Sequence, residues 1–504
     1  MTTAKRALAL CLVLALLGSL CACGRRENRD RIARIAVPFA YESLDPHKEY
    51  HGWYTSIYGI TETLFQMDDD GDVVPCLAKS AKQDGTTWTI RLNRHAKFSN
   101  GKELTAEMVI RNLKRTIQVN DRYADYQKFR FEAPDIHTVV IHTPAPYPTL
   151  KNELVSPCLA ILDLDSTPDP DNAIIGTGPF VLRLFQPETV VSVDRNKNYW
   201  NGKVKLAGAE FLYMEQDAPK LFAMQQGSID AVTNVTSDAL KAFEENPGDY
   251  DIVSTPGTRL LFFYLNETTL DHSVRKVING CLDKKYAIQL LNGVLSPSNG
   301  PFDEDKPYGK ANEVKKLSPE EIDNIMTGDG YQKNSDGFYE KDGVVLTVRL
   351  CGYSGRNYDA LAKLMAKQLN AAGIKTTITI EKDPDATYMK SRDFDVGFYS
   401  LISDKYGDPY EFLDKTMRSG APLNAGSFDN RDVQTLLEQM KTATGHAVRP
   451  KLANNIVRIA MEDEAYGYVG TIKKVTVLRH GLSNISEHSP YDYYCLTKDS
   501  VFKE

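Results

Sequence analysis

Cysteine is scarce in this chain and badly placed for a disulfide framework. Of eight in 504 residues, Cys11, Cys21 and Cys23 sit near the start. Cys76, Cys158, Cys281, Cys351 and Cys495 are far apart, odd in number and without a C-x-x-C pair. That excludes a disulfide-stapled scaffold and a cysteine-built zinc site, and predicts buried free thiols. Catalytic spacings are missing as well. There is no H-E-x-x-H, no G-x-x-x-x-G-K-[ST] and no G-x-S-x-G elbow, so metalloprotease, P-loop and hydrolase chemistry lack their mechanical parts. Positive charge is not in excess: the formal net charge is −7, with both signs interspersed, which argues against a nucleic-acid partner. No repeat of 20 to 50 residues appears.

Features that imitate a site are accounted for by simpler local structure. Among nine histidines only His47 and His51 stand four apart, and Pro46 and Gly52 flank them, which predicts a loop or helix start carrying two surface histidines and no metal. The acidic run 68–72 lacks the alternating ligands of a calcium loop and reads as an exposed turn. In Gly176-Thr177-Gly178-Pro179-Phe180 a proline follows the second glycine, so a turn is predicted and not a dinucleotide loop.

The start of the chain is what the sequence does supply. Lys5 and Arg6, an apolar run over 7–20 and the ending Leu20-Cys21-Ala22-Cys23-Gly24 form an export signal. The run is too short for a lasting membrane span. Its ending resembles a bacterial lipobox, with Cys23 as the acylated first residue after cleavage at 22 and 23–30 as a tether; ordinary cleavage without lipid is the alternative. No later apolar run is long enough to span a membrane, and residues 31–504 offer room for two or three domains.

Periodicity places several elements. Strand-like alternation runs through 32–38 and 86–92, where Trp88, Ile90 and Leu92 share a face. Ile110, Leu113 and Ile117 fall at helical spacing after Thr105 as N-cap, with Glu107 in the first turn. Val344, Leu346, Val348 and Leu350 alternate; a stripe Tyr358, Leu361, Met365, Leu369 follows; Gly373 stops it; and Ile374, Thr376, Ile378 and Ile380 alternate again. This predicts a βαβ unit with parallel strands, and Phe394, Val396 and Phe398 a further strand. Ligands of open α/β sheets gather beyond the strands' carboxyl ends, so the loops 351–356 and 400–409 are candidate cleft walls. Tyrosine outnumbers phenylalanine, 26 to 19, and gathers at Tyr50, Tyr54 and Tyr58, at Tyr123 and Tyr126, at Tyr406 and Tyr410, and at Tyr491, Tyr493 and Tyr494. Most of these are expected to be ordinary packing, but the residue suits a pocket.

From about residue 34 onward the chain resembles the family 5 solute-binding proteins of bacterial ABC importers for peptides and nickel. The resemblance is carried by segments in the family's order: Ser43-Leu44-Asp45-Pro46, Glu62-Thr63-Leu64-Phe65, Pro75 to Ser80, Asp84 to Leu92, Lys97 to Gly101, Gly176 to Phe180, Arg195 to Trp200, Gln226 to Asp230, Val274-Arg275-Lys276 to Asp283-Lys284-Lys285, and Gly407-Asp408-Pro409-Tyr410-Glu411-Phe412-Leu413. It implies an α/β, two-lobed periplasmic-binding-protein-like fold with a third, inserted domain and a hinged cleft. Mapped here, lobe I takes 31–60, 174–258 and 475–504; the inserted domain II takes 61–173; lobe III takes 259–474. It also implies a monomer without catalytic activity or resident cofactor, held at the membrane by lipid and delivering a small ligand to a permease and its ATPase subunits.

Departures from the family bear on the ligand. Peptide-binding relatives place an aspartate four residues before the proline matching Pro409, against the peptide's ammonium, and here that position is Lys405. Asp404 substitutes, or Lys405 faces away, or the ligand is not a free-amine peptide. Residues 97–101 and the helix after them resemble nickel-binding members, which hold metal chelates through arginine and aromatic contacts, yet the histidine that one family pattern places shortly after the Met-Arg matching Met417-Arg418 is missing there, and Tyr123 and Tyr126 stand where an arginine and a tryptophan are expected. The expected ligand site is Tyr41, Tyr123, Tyr126, Leu401, Ile402, Ser403, Asp404, Lys405 and Tyr406. Short peptides are the first expectation and a nickel or other metal chelate the second, with a sensing receptor and a secreted hydrolase as further alternatives.

Overall fold

The computed structural model describes residues 31–38, 42–233, 235, 237–291, 294–354, 358–445 and 447–503; the export signal, Cys23, Tyr41 and His446 lie outside them. The described chain is mixed α/β, built on one 11-stranded sheet. From one edge its path runs Lys375–Glu381, Thr347–Tyr353, Val396–Ile402, Tyr250–Leu265, Tyr466–Arg479, Ala231–Thr233, Ile32–Val37, Gly208–Tyr213, Val190–Arg195 and Phe180–Gln186, with Leu295–Pro297 pairing off the path.

Tyr250–Leu265 and Tyr466–Arg479 are the long members, 16 and 14 residues, and pair antiparallel along most of their length. Period-two alternation decides what they bury. Leu261, Phe263 and Leu265 enter one apolar cluster with Leu350, Leu361 and Phe398, while Leu260, Phe262 and Tyr264 enter another with Phe412, Leu413 and Ile456. A strand covered on both faces reads as an unbroken apolar run, as 260–265 does. Nearer the amino-terminal strand the partition repeats, Ala33, Ile35 and Val37 joining one cluster and Ala36 another.

The ladder between the two long strands shifts register between Thr255 and Arg259 on one side and Lys474 and Ile472 on the other. Pro256 cannot donate to a ladder. Gly257 is required by close approach, since a Cβ there would stand 2.2 Å from the Ile472 carbonyl oxygen. A bulge therefore interrupts the sheet where the clusters of its two halves meet.

A separate four-stranded sheet, in the order Ala78–Asp84, Thr87–Leu92, Thr138–His142, Arg130–Asp135, packs against the helix Ala106–Val119. Thr105 caps that helix by accepting from the Met108 amide at 3.3 Å, and Trp88, Ile90 and Leu92 are buried together as the alternation requires. In the βαβ unit, Thr347–Tyr353 and Lys375–Glu381 pair in parallel across the helix Tyr358–Ala371, and Val396–Ile402 adds a parallel neighbour. Two details differ from expectation. Val344–Val345 belongs to a small three-stranded sheet, and Cys351, Gly352 and Tyr353 continue the strand instead of opening a loop, because Cys351 and Gly352 are buried and hydrogen-bonded in register with Thr379 and Ile380.

The two histidines also differ. His51 begins the short helix His51–Thr55, but His47 is fully buried. Its Nε2 lies 2.8 Å from the Ala160 carbonyl oxygen and so carries the proton, while Nδ1 accepts from the Arg115 guanidinium at 2.7 Å. Arg115 in turn forks onto both carboxylate oxygens of Asp45, at 2.9 and 2.5 Å. Burial holds the His47 imidazole neutral and pulls its pKa down to about 4.

Other sequence motifs prove to be packing devices. Glu62 is half-buried and accepts from the Tyr199 hydroxyl at 2.5 Å and the Trp200 indole at 2.8 Å, so two motifs distant in sequence meet. A Cβ on Gly176 would stand 2.1 Å from the Ile60 oxygen. Asp68 accepts from the amides of Asp70 and Asp72 in an exposed turn. Cys76, Cys158, Cys281, Cys351 and Cys495 are free thiols, all but Cys76 buried.

Candidate functional site

A cavity of about 880 Å³ opens where the bulge of the long strands faces three other segments. Thr258, Arg259, Lys473 and Lys474 line it from the bulge itself. Tyr50, Trp53, Tyr54 and Tyr58 approach from the turn after the first strand, and Tyr491, Tyr493 and Tyr494 from near the carboxyl terminus. Leu401, Ile402, Ser403, Lys405 and Asp408 come from the loop after Val396–Ile402, followed by Glu411 and Lys415 on the helix Tyr410–Met417. Arg122 reaches it from the segment after the helix Ala106–Val119.

Aromatic rings build the wall. Trp53 meets Tyr493 edge-on at 4.9 Å and lies 6.2 Å from Tyr406, and Tyr493 contacts Tyr494 at 4.7 Å. The turn that carries Tyr50 and Trp53 is fastened from behind. Asn120 donates to the carbonyls of His47 and Glu49, both at 3.0 Å, and its side-chain oxygen accepts from the Arg122 amide.

Two cations rest on that turn. The Arg122 guanidinium lies 3.2 Å over the Tyr50 ring, where burial pulls its pKa down, and the Lys405 ammonium lies 5.3 Å over Trp53 and 4.9 Å over Tyr406. Lys405 also stands 3.6 Å from Glu411, which pairs with Lys415 one helical turn on. Burial pushes the Glu411 carboxyl up, and the two lysines outweigh that, leaving it below the usual carboxylate range. Lys474 is buried and donates to the carbonyls of Ser486 and Tyr491, at 2.9 and 3.1 Å, with burial lowering its pKa.

Carboxylates on the wall are engaged. Arg449 clamps Asp408 through two bonds, at 2.6 and 2.7 Å. Six cationic side chains line the cavity against three acidic ones, Asp408, Glu411 and Asp492, which leaves the surface net positive. Among the described residues no three His, Cys, Asp or Glu side chains gather as metal donors, and no helix is long and apolar enough to cross a membrane.

The expected site residues divide. Leu401, Ile402, Ser403 and Lys405 line the cavity. Asp404 is buried behind it, accepting from the Tyr308 hydroxyl at 2.6 Å and the Gly407 amide at 2.7 Å, and burial raises its pKa. Tyr123 and Tyr406 are also behind the wall, their hydroxyls meeting the Ser156 hydroxyl at 2.7 and 3.0 Å. Tyr126 donates to half-buried Glu153 at 2.5 Å, beside Tyr147 and Thr149. The loop residues 351–354 do not line the cavity. Tyr50, Trp53, Arg122, Glu411, Lys415 and Tyr493 were not singled out for the ligand site, although the tyrosine groups 50, 54, 58 and 491, 493, 494 were a usable signal.

Comparison with known proteins gives the fold a family. The chain is 25% identical over 478 residues to the nickel-binding protein NikA of Staphylococcus aureus, covering 92% of this chain and 93% of that one. It is likewise 25% identical over 479 residues to the probable D,D-dipeptide-binding periplasmic protein DdpA of Escherichia coli, covering 87% of each. The crystal structure of a nickel ABC transporter protein from Bacillus halodurans superimposes with a TM-score of 0.84 at 25% identity, covering 94% of this chain and all of that one. Residues 72–422 match the middle region of the bacterial extracellular solute-binding proteins, family 5, and with its multi-domain α/β fold the chain belongs to that family.

Proposed function

We propose that this protein is the lipid-anchored, extracytoplasmic receptor of an ABC importer, and that its cargo is a small anionic metal chelate, nickel foremost. One observation carries the choice of cargo. The loop that would offer an aspartate to a peptide's ammonium presents the Lys405 ammonium to the cavity, while Asp404 is occupied by Tyr308 and Gly407. An ammonium facing an ammonium is unfavourable in a closing cleft, whereas a carboxylate is favoured there. A metal that arrives already chelated would be bound through its ligand's carboxylates and flat faces, for which the cavity offers cations and aromatic rings. The nickel-binding relative agrees with this reading.

The long-strand bulge supports closure of two lobes over the cargo. Lobe I (31–60, 174–258, 475–504) and lobe III (259–474) are joined through the two long strands, and the bulge at 255–259 and 472–474 falls at that boundary, a place where a few residues absorb a hinge rotation. Domain II (61–173) supplies Arg122 and the ledge on which the 403–408 loop rests. The protein binds without turnover, and acylated Cys23 with the tether 23–30 keeps it beside its permease.

Short peptides are the second reading. Glu411 favours it, because a cavity carboxylate could take a peptide ammonium in exchange for a lysine. Native mass spectrometry of residues 24–504 decides between them. Incubated with Ni(II)–EDTA together with a mixture of two- to five-residue peptides, the protein should retain a metal chelate of one mass. Retention of a heterogeneous peptide set and no metal would overturn the chelate reading. Cys23→Ala should release the full-length protein from the membrane, and retention there would remove the lipid anchor.

A further inference from the structure

We infer that Glu411 is a built-in occupant of the anion subsite: it neutralises Lys405 before ligand binds, and a ligand carboxylate takes its place. The inference rests on the anionic-ligand reading above and adds the residue that the ligand must displace.

Glu411 holds two lysines unequally. Its bond to Lys415 is a short i, i+4 pair within one helix, whereas Lys405 comes from the loop before that helix and stops at 3.6 Å, an ionic contact beyond hydrogen-bond length. The looser partner is the one that lies in the cavity over Trp53 and Tyr406. A lysine ammonium has three donors and no fixed fork, so it can turn from one carboxylate to another without leaving its aromatic platform. Exchange strands nothing: Glu411 keeps Lys415, Lys405 gains the ligand, and both charges stay paired.

A purely structural Glu411–Lys415 pair would not require Lys405 to approach, and a surface pair of that kind contributes little. As an internal competitor, Glu411 reduces affinity for anions and rejects neutral ligands that cannot replace it. Arg122, on the neighbouring ring of the same turn, offers a second cation to a ligand with more than one carboxylate.

Calorimetric titration of the anchor-free protein with Ni(II)–EDTA and with Fe(III)–EDTA, both net anions, tests this. Glu411→Gln, which keeps shape and loses charge, should bind both probes about fivefold more tightly, the order expected for one screened charge contact. Lys415→Met leaves Glu411 to Lys405 alone and should weaken binding by a similar factor, and this effect should vanish in the Glu411→Gln background. If the wild type binds the chelates and Glu411→Gln binds them equally or more weakly, the competitor role is overturned while the chelate reading stands. Persistence of the Lys415→Met loss in the double variant would overturn it too, by making Lys415 a direct ligand contact. If the wild type binds neither chelate but binds trialanine, and Glu411→Gln abolishes that, both readings fall and Glu411 is the peptide ammonium's partner.

Discussion

Tyr406 gives its hydroxyl to Ser156 at 3.0 Å, and Ser156 meets Tyr123 at 2.7 Å, so the cavity loop 401–408 is tied to a segment 250 residues away in sequence. Asn152 adds a bond of 2.8 Å to the Tyr406 carbonyl. Loop position therefore depends on the segment around Asn152 and Ser156, and so does the placement of Lys405 one residue earlier. Tyr406→Phe removes one tie while leaving Ser156 its Tyr123 partner. Such a hydrogen bond is worth about 1 kcal/mol. Ligand affinity should fall roughly three- to tenfold, chiefly through faster dissociation in stopped-flow measurements, with little change in Tm.

Lys405→Met tests the charge of the cavity directly. The methionine retains the stem over Trp53 and removes the ammonium. Affinity for an anionic chelate should drop about tenfold or more, the range for losing one charge-assisted contact. The remaining affinity should depend less on salt than in the wild type. Equal affinity and an unchanged salt slope in calorimetry would show that Lys405 does not meet the ligand.

Legibility in the sequence tracked the distance over which a feature is encoded. The helix Ala106–Val119 was readable because its cap and stripe are local, and the βαβ unit because each element carries its own period. The cavity wall was readable only in part. Leu401 to Lys405 were visible through the loop motif, but Asp404 and Lys405 are adjacent and point to opposite sides, which depends on Tyr308 lying nearly a hundred residues before them. Trp53, Arg122 and Glu411 become a group only when three distant segments meet. Likewise His47 looks exposed between Pro46 and Gly52 until Arg115 and Ala160 close over it.

His47 predicts a pH dependence of stability. Its folded pKa is about 4 against an ordinary 6.5. Between those values the unfolded chain binds a proton that the folded chain refuses, so unfolding gains and stability declines as pH falls through that window. The shift corresponds to about 3 kcal/mol, as an order of magnitude. Asp45, whose carboxyl is held low by Arg115 against the raising effect of its burial, adds a further loss below its ordinary 3.8. Urea denaturation at pH 7 and pH 4.5 should show this decline, and His47→Gln should flatten it within the window while lowering stability at pH 7. An unchanged slope in the variant would assign the pH dependence to other groups.

Gly257 makes the last prediction, because it separates hinge from cavity. A Cβ there would meet the Ile472 oxygen at 2.2 Å, a backbone atom that cannot swing aside as a side chain can. Gly257→Ala must push the two long strands apart at the bulge. Overpacking of this kind costs about 1–3 kcal/mol, to be read as a lower urea midpoint with the same slope. The residue also lines the cavity beside Thr258 and Arg259, so strain at the bulge should reach the ligand. If rotation is centred there, affinity will fall and small-angle scattering will show less compaction on adding ligand. Loss of stability with normal compaction would move the hinge elsewhere along the two strands and leave Gly257 as a packing residue alone.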